Sequence, residues 1–351
     1  MSSLSALWNR HPLGKTRAGA QRQFQEGEMA SDNTSGGHNG GDPAEIRLPE
    51  RPRKGKGPFI ALGVVLVAAL VAITVVLTGG DDSSGPTDTV TVRIGTTEAG
   101  SDYWKPLKRL AAEEGITLET VNFSDYNQPN PALSQGQTDL NLFQHVLFLA
   151  NYNVSNQDDL TPVGSTYVVP LSLYSRKHTD VEQIPAGGTV AIPKDPTNQA
   201  RALLVLQEAG LISLKDGGNV LSTPAEIDQA ASKVSVTPVD AAQTVAVLDS
   251  VDASIVNNGF AMDAGLDPSK ALFSDDPRSD AAEPYINIIA ARAEDKDNPT
   301  YRRVVELFHH PEVLEALRAE SRDTSVPVQR PQEELEEILD RLSDTVKAAR
   351  R

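Results

Sequence analysis

The sequence predicts a two-lobed α/β domain with a ligand cleft between the lobes, preceded by a single transmembrane helix. Three observations carry that reading. An uncharged apolar run fills residues 58–78, strand and helix signals alternate from residue 89 onward, and two long extended segments bracket a block with strands and helices of its own.

The run "GPFIALGVVLVAALVAITVVLTGG" is apolar on every side for roughly the 20 residues that a helix needs to cross a hydrocarbon core. A cleaved signal peptide is the alternative, opposed by the length of the apolar core and by the lack of a small-residue cleavage site in "TVVLTGG". "RPRKGK" precedes the run and "DDSSG" follows it, so the positive-inside rule keeps the N-terminus cytoplasmic and places everything beyond residue 80 outside. The expectation is a single-pass protein of the cell membrane with an extracytoplasmic domain. Among 351 residues there is no cysteine, which excludes a cysteine-linked lipid, a disulfide and a thiolate metal site; the span then supplies the anchor.

Residues 1–57 are rich in Gly, Ser, Asn, Pro and charge with no apolar period, the composition of a disordered cytoplasmic tail, and residues 79–88 form a linker. The "GKT" at residues 14–16 is no phosphate loop, because Asn9 stands where the first glycine belongs and no strand precedes it. The net charge is −16; the tail has nine basic and six acidic residues, so everything after it carries −19. Such a domain repels phosphates, which argues against nucleic acid as a partner. His38, His309 and His310 lack acidic or cysteine partners at ligand spacing, and neither a metal nor a cofactor is expected.

From residue 89 the elements follow in order. "TVTVRIGTT" reads as a strand, "DYWKPLKRLAAEEG" as a helix closed by Gly115, "ITLETVNF" as a strand and "NPALSQGQ" as a short helix. "GGTVAIP", "KVSVTPVD" and "SIVNN" are further strands, a helix follows Pro196, and "PTYRRVVELFHHPEVLEALRAES" reads as one C-terminal helix. "STYVVPLSLYS" and "EPYINIIAARAE" are the two extended segments. Taken as crossovers, they give a first part of lobe one at 89–180, lobe two at 181–283, and a return to lobe one with a last helix at 284–351. Two crossing strands of a single sheet are the alternative. In "QEELEEILDRLSDTVKAARR", Leu335, Ile338, Leu339, Leu342 and Val346 share one helical face, which either packs on lobe one or binds a partner.

The chemistry-bearing residues gather near strand ends. In "AIPKDPTNQARALL", Pro196 suits a first helical turn with Asp195 as its cap, and Asn198 and Arg201 fall in the first turns. The helix N-terminus attracts an anion, and Arg201 can add a guanidinium fork to a carboxylate; pairing of Arg201 with Glu208 or another acid is the alternative. "FSDYNQPN" places Tyr126 after a strand, "LNLFQH" sets Phe143 and His145 two apart, and "SIVNNGF" ends a strand with Asn257 and Asn258. Arginine for a carboxylate, amide oxygens for an ammonium, and aromatics with a histidine for a side chain would together make an amino-acid site.

"FSDYNQPNPAL", "DLNLFQH", "AIPKDPTNQARALLVLQEAGLISLKDG", "ASIVNNGFAMDAGL" and "EPYINIIAARAED" resemble, in order and spacing, the methionine-binding MetQ/NlpA family of ABC importer substrate-binding proteins, over about residues 90–325. The resemblance implies a periplasmic-binding-protein-like fold that traps L- or D-methionine or a close analogue and docks on a permease driven by a cytoplasmic ATPase. It implies that Arg201 grips the ligand carboxylate with Asn198 beside it, that Asn257 binds the amino-acid backbone with Asn258 able to compensate for a second asparagine, and that Tyr126, Phe143 and His145 line the side-chain pocket, with Phe148 at a ligand-reading position. Two positions depart from the family pattern. Phe148 stands where a tyrosine is usual, and Gly259 where a second asparagine often follows the first. No catalysis is expected, since no G-x-S-x-G elbow, H-E-x-x-H or cysteine nucleophile is present. An anchored scaffold or surface-interaction protein on the same fold is the alternative function.

Overall fold

The computed structural model describes residues 89–350; the tail 1–57, the apolar run 58–78 and the linker 79–88 lie outside the described residues. All of these described residues fall in one compact unit, Asp82–Arg351. No helix among them is long and apolar enough to cross a membrane.

In chain order the elements are β1 (Val90–Thr96), α1 (Trp104–Glu113), β2 (Ile116–Asn122), α2 (Pro129–Ser134), β3 (Leu140–His145), α3 (Val146–Asn156), β4 (Thr161–Ser165), β5 (Tyr167–Val168) and β6 (Ser172–Tyr174). Next come β7 (Gly188–Pro193), α4 (Pro196–Glu208), β8 (Val234–Val239), β9 (Ala253–Val256), α5 (Asn258–Asp263) and β10 (Phe273–Ser274). The chain closes with β11 (Asn287–Ala291), α6 (Pro299–Phe308), α7 (Pro311–Ser321), β12 (Val326–Pro327) and α8 (Gln332–Ala349).

Two five-stranded sheets form two lobes. The first has the order β2-β1-β3-β11-β4 and the second β10-β6-β9-β7-β8. Both are mixed rather than largely parallel. In the first, β1 runs parallel to β2 and β3 while β11 is antiparallel to β3 and β4; in the second, β7 is parallel to β8 and β9 while β6 is antiparallel to β9 and β10. The strands next to the crossovers supply the antiparallel partners, because each enters its sheet against the βα direction. The first crossover also comes earlier than residue 180. Ser172–Tyr174 already pairs with Ser254–Val256, so the chain has entered lobe two by residue 172.

Lobe one is covered on both faces. Leu107, Leu110 and Ala111 of α1 join Val304, Leu307 and Phe308 of α6 and Val313 and Leu317 of α7 against β1, β2 and β3. Between α1 and β2 the chain reverses at Gly115, whose φ of +75° is strained for residues with a Cβ. On the other face, Leu147, Leu149 and Ala150 of α3 meet Leu335, Ile338, Leu339, Leu342 and Val346 of α8. Thus the apolar stripe of the last helix is spent on lobe one, each such side chain stabilising by about 1.5–3 kcal/mol on burial. In lobe two, Ala202, Leu203, Val205 and Leu206 of α4 pack on Val190 and Ile192 of β7.

The helix expected from Pro299 to Ser321 is two helices. His310 is extended at ψ 139° before Pro311, as a residue preceding proline prefers, and its ring accepts from the Glu312 N–H at 3.3 Å. His309 is half-buried, with Nε2 2.9 Å from the Ser165 carbonyl.

At Gly164 in β4, α6 lies so close that a Cβ would sit 2.2 Å from Val305 Cγ1. Gly164→Ala should therefore cost about 1–3 kcal/mol by overpacking. With Val305→Ala added, the strain disappears, so chemical denaturation of the four proteins should show a coupling of roughly 0.5–3 kcal/mol. Strict additivity would contradict this close approach.

Candidate functional site

The C-terminal ends of β1, β3, β7 and β9 converge where the lobes meet. All eight sequence-derived candidates, Arg201, Asn198, Asn257, Tyr126, Phe143, His145, Phe148 and Asn258, line one cavity there of about 40 Å³. Sequence reasoning missed Glu98, Gln144, Tyr167, Val169 and Asn287 on the same wall, and met Gly259 only as a departure from the family pattern.

Arg201 sits in the second turn of α4 with its side chain only 5 % exposed. Its Nε and Nη2 donate to the Asp275 carboxylate at 2.7 and 3.1 Å, and Nη2 also donates to the Val169 carbonyl at 2.8 Å. Its guanidinium carbon lies 4.2 Å from the centre of the Tyr285 ring. Arg201 thus does pair with an acid, Asp275 rather than Glu208, and no open two-nitrogen fork faces the cleft. Nη1 keeps its donors, making no hydrogen bond among the described residues.

The α4 N-terminus is likewise taken. Asp195 Oδ1 accepts from the Asn198 N–H and Nδ2, both at 3.0 Å, so the anion at the positive end of this helix is the protein's own cap. That bond fixes the Asn198 amide, whose Oδ1 accepts from Asn257 Nδ2 at 3.0 Å. The relay leaves Asn257 Oδ1 buried with no partner. A carbonyl oxygen in that state is an acceptor awaiting a donor. Asn258 turns instead toward Met262, its Nδ2 lying 3.0 Å from the sulfur.

His145 ends β3 and caps α3, its Nδ1 accepting from the Phe148 N–H at 3.1 Å. Burial, then the charge of Arg201, hold its pKa down at about 3. The ring is therefore neutral, with its proton on Nε2, a buried atom lacking a partner. Below it Asn130, Asn141 and Gln144 form a closed amide cluster, with bonds of 2.7 to 3.1 Å, that ties α2 to β3. Tyr126, Phe143 and Phe148 form an aromatic wall with ring centres 5.7 to 6.1 Å apart, and Phe260 lies 5.0 Å from Tyr126.

Glu98 follows β1. The Trp104 indole donates to its carbonyl at 2.8 Å, and the Tyr167 hydroxyl donates to Oε2 at 3.1 Å. A Cβ on Gly259 would lie 2.3 Å from Oε1, so the glycine in lobe two is what leaves room for this carboxyl of lobe one. Burial pushes Glu98 up to about 7, with Asp263 and Glu320 adding to the rise against the Tyr167 hydroxyl. Locally "TTEAGSD" reads as a loop acid, and nothing in its spacing marks it for the cleft. Among the described residues, no group of three or more His, Asp or Glu could hold a metal ion.

Two mixed α/β sheets joined by crossovers, with polar side chains gathered at the strand ends between them, define a two-lobed substrate-binding-protein fold. The chain belongs to the NlpA lipoprotein family, whose model matches residues 92–329. It is 36% identical over 265 residues to Lipoprotein 28 of Escherichia coli, covering 74% of this chain and 95% of that one. It is 34% identical over 258 residues to the D-methionine-binding lipoprotein MetQ of Yersinia pestis, covering 72% and 93%. The solved substrate-binding protein of a methionine transporter from Streptococcus pneumoniae superposes with a TM-score of 0.63 at 39% identity, covering 68% of this chain and 95% of that one.

The raised pKa of Glu98 fixes a sign. Between the ordinary carboxyl range and about pH 7 the folded protein keeps a proton that the unfolded chain has lost, so this group's contribution to stability falls as pH rises and levels off above 7. Glu98→Gln should then raise the melting temperature of the ligand-free protein more near pH 8 than near pH 5. An equal effect at both would contradict a half-buried, protonated Glu98.

Proposed function

We propose that this chain is the binding component of an ABC importer, tethered to the membrane through residues 58–78, which captures L- or D-methionine or a close analogue outside the cell. It delivers the ligand to a permease and, through it, to a cytoplasmic ATPase, and it performs no catalysis of its own. The tail 1–57 lies on the cytoplasmic side in this reading, and lobe one comprises the segments on either side of lobe two.

One observation carries the proposal: a single cleft holds unmatched donors, unmatched acceptors and an aromatic wall, the three parts that a zwitterion with an apolar side chain requires. Arg201 Nη1 takes the carboxylate, with the neutral His145 Nε2–H alongside. Asn257 Oδ1 takes the ammonium, while Asn198 holds Asn257 and Asn258 flanks it. Tyr126, Phe143 and Phe148 receive the thioether chain, and Phe148 in place of tyrosine makes that end of the pocket purely apolar. A cavity of about 40 Å³ is little more than the ~30 Å³ share of one water, so the ligand enters as the lobes part and the cleft closes on it by hinge bending. The names of the family relatives support methionine over other amino acids.

Removing Arg201 alone strands Asp275 in a largely buried site at a cost of about 3–5 kcal/mol, so binding and folding would fail together. The cleaner test is Arg201→Met with Asp275→Asn. This pair should melt cooperatively yet bind methionine at least about tenfold to a hundredfold more weakly in calorimetric titration, the equivalent of a lost charged hydrogen bond. Wild-type affinity in a folded double variant would remove Arg201 from the site.

A further inference from the structure

The charges on the cleft wall do not balance. Arg201 is matched by Asp275, and His145 is neutral. Glu98 is the one carboxyl among the residues lining the cavity, and it has no ion-pair partner among the described residues. The titratable groups around it are Tyr103 after β1, Tyr126 after β2, Tyr167 of β5, Asp263 of α5 and Glu320 of α7. Two are further acids and none is a cation. A half-buried carboxyl with acids and no cation beside it is costly to ionise unless a positive charge is brought to it.

Glu98 Oε2 is engaged by Tyr167, while Oε1 makes no hydrogen bond and points across the cleft at Gly259, two residues beyond Asn257 with its own unmatched Oδ1. The two free acceptors therefore belong to opposite lobes and to residues lining the same cavity, and Oε1 occupies a spot that exists because residue 259 has no side chain. A group donating in several directions and carrying positive charge fits between them, and a primary ammonium does both.

We propose that Glu98 is the counter-ion of the ligand's ammonium group, bridging it from lobe one while Asn257 Oδ1 accepts from lobe two, and that it selects ligands with a free cationic amine. The inference rests on the amino-acid reading of the cleft. It makes closure depend on the amine, since only a group held by both acceptors links the lobes there.

The test compares L-methionine with 4-(methylthio)butanoate, the same molecule without its amine, by titrating the full-length wild-type protein, Glu98→Gln and Gly259→Ala. In Glu98→Gln, methionine affinity should fall about ten- to a hundredfold while affinity for the des-amino acid changes by less than about threefold. Gly259→Ala, which forces Oε1 aside, should show the same selective loss. Wild-type methionine affinity should rise from about pH 6 to pH 8 with proton release on binding near pH 6, both absent in Glu98→Gln. Equal loss of the two ligands would make Glu98 a structural residue, and affinity falling with pH would make it a protonated donor; either overturns the proposal. A wild-type protein that binds neither compound would overturn the amino-acid reading itself, and the proposal with it.

Discussion

The ion pair between Arg201 and Asp275 is the contact on which the arrangement of the two lobes depends. Arg201 belongs to the helix that packs on the second sheet, yet it donates to the Val169 carbonyl on the outgoing crossover and lies against Tyr285 on the returning one. Asp275 in turn accepts from the Leu171 N–H at 2.8 Å. Both connecting segments are thereby fastened to one side chain. Because the pair is largely buried, neither partner can leave without stranding the other's charge, which keeps both connecting segments fastened.

That pair also sets what the guanidinium can offer a ligand. With Nε and Nη2 committed, Nη1 alone remains, so a carboxylate arriving there would complete a shell rather than compete for it. The same economy holds around the cleft: Asp195 Oδ1 orients Asn198 and Asn198 orients Asn257, with Asp195 Oδ2 and Asn257 Oδ1 left over as buried acceptors. Polar groups locked in this way lose little entropy when a ligand docks, which is how a small site reaches useful affinity.

Much of this was legible in the sequence because it is local. Alternation of strand and helix, Pro196 behind Asp195, and the apolar stripe from Leu335 to Val346 all follow from neighbours a turn or a strand apart. The convergence of Tyr126, Phe143, His145, Asn198, Arg201 and Asn257 was legible because each stands at a strand end or helix start. What was hidden is what joins distant segments. Asp275 pairs with a residue 74 positions away, Glu98 meets Gly259 across the cleft, and β11 slots between β3 and β4 in reverse. The break at Pro311 is different, since its sequence signal is local and the run of helix-forming residues around it masked the stop. The departure at Gly259 gained a physical reason only when the opposing carboxyl was in view.

In the proposed function an amino acid lies between the lobes with its carboxylate at Arg201 and its side chain among the aromatics. A crystal structure of the protein grown with L-methionine tests it most directly. The carboxylate is expected within hydrogen-bond distance of Arg201 Nη1 and the sulfur enclosed by Tyr126, Phe143 and Phe148, with the Arg201–Asp275 pair intact. Methionine bound in the reverse orientation, or absent from the cleft at saturating concentration, would contradict it.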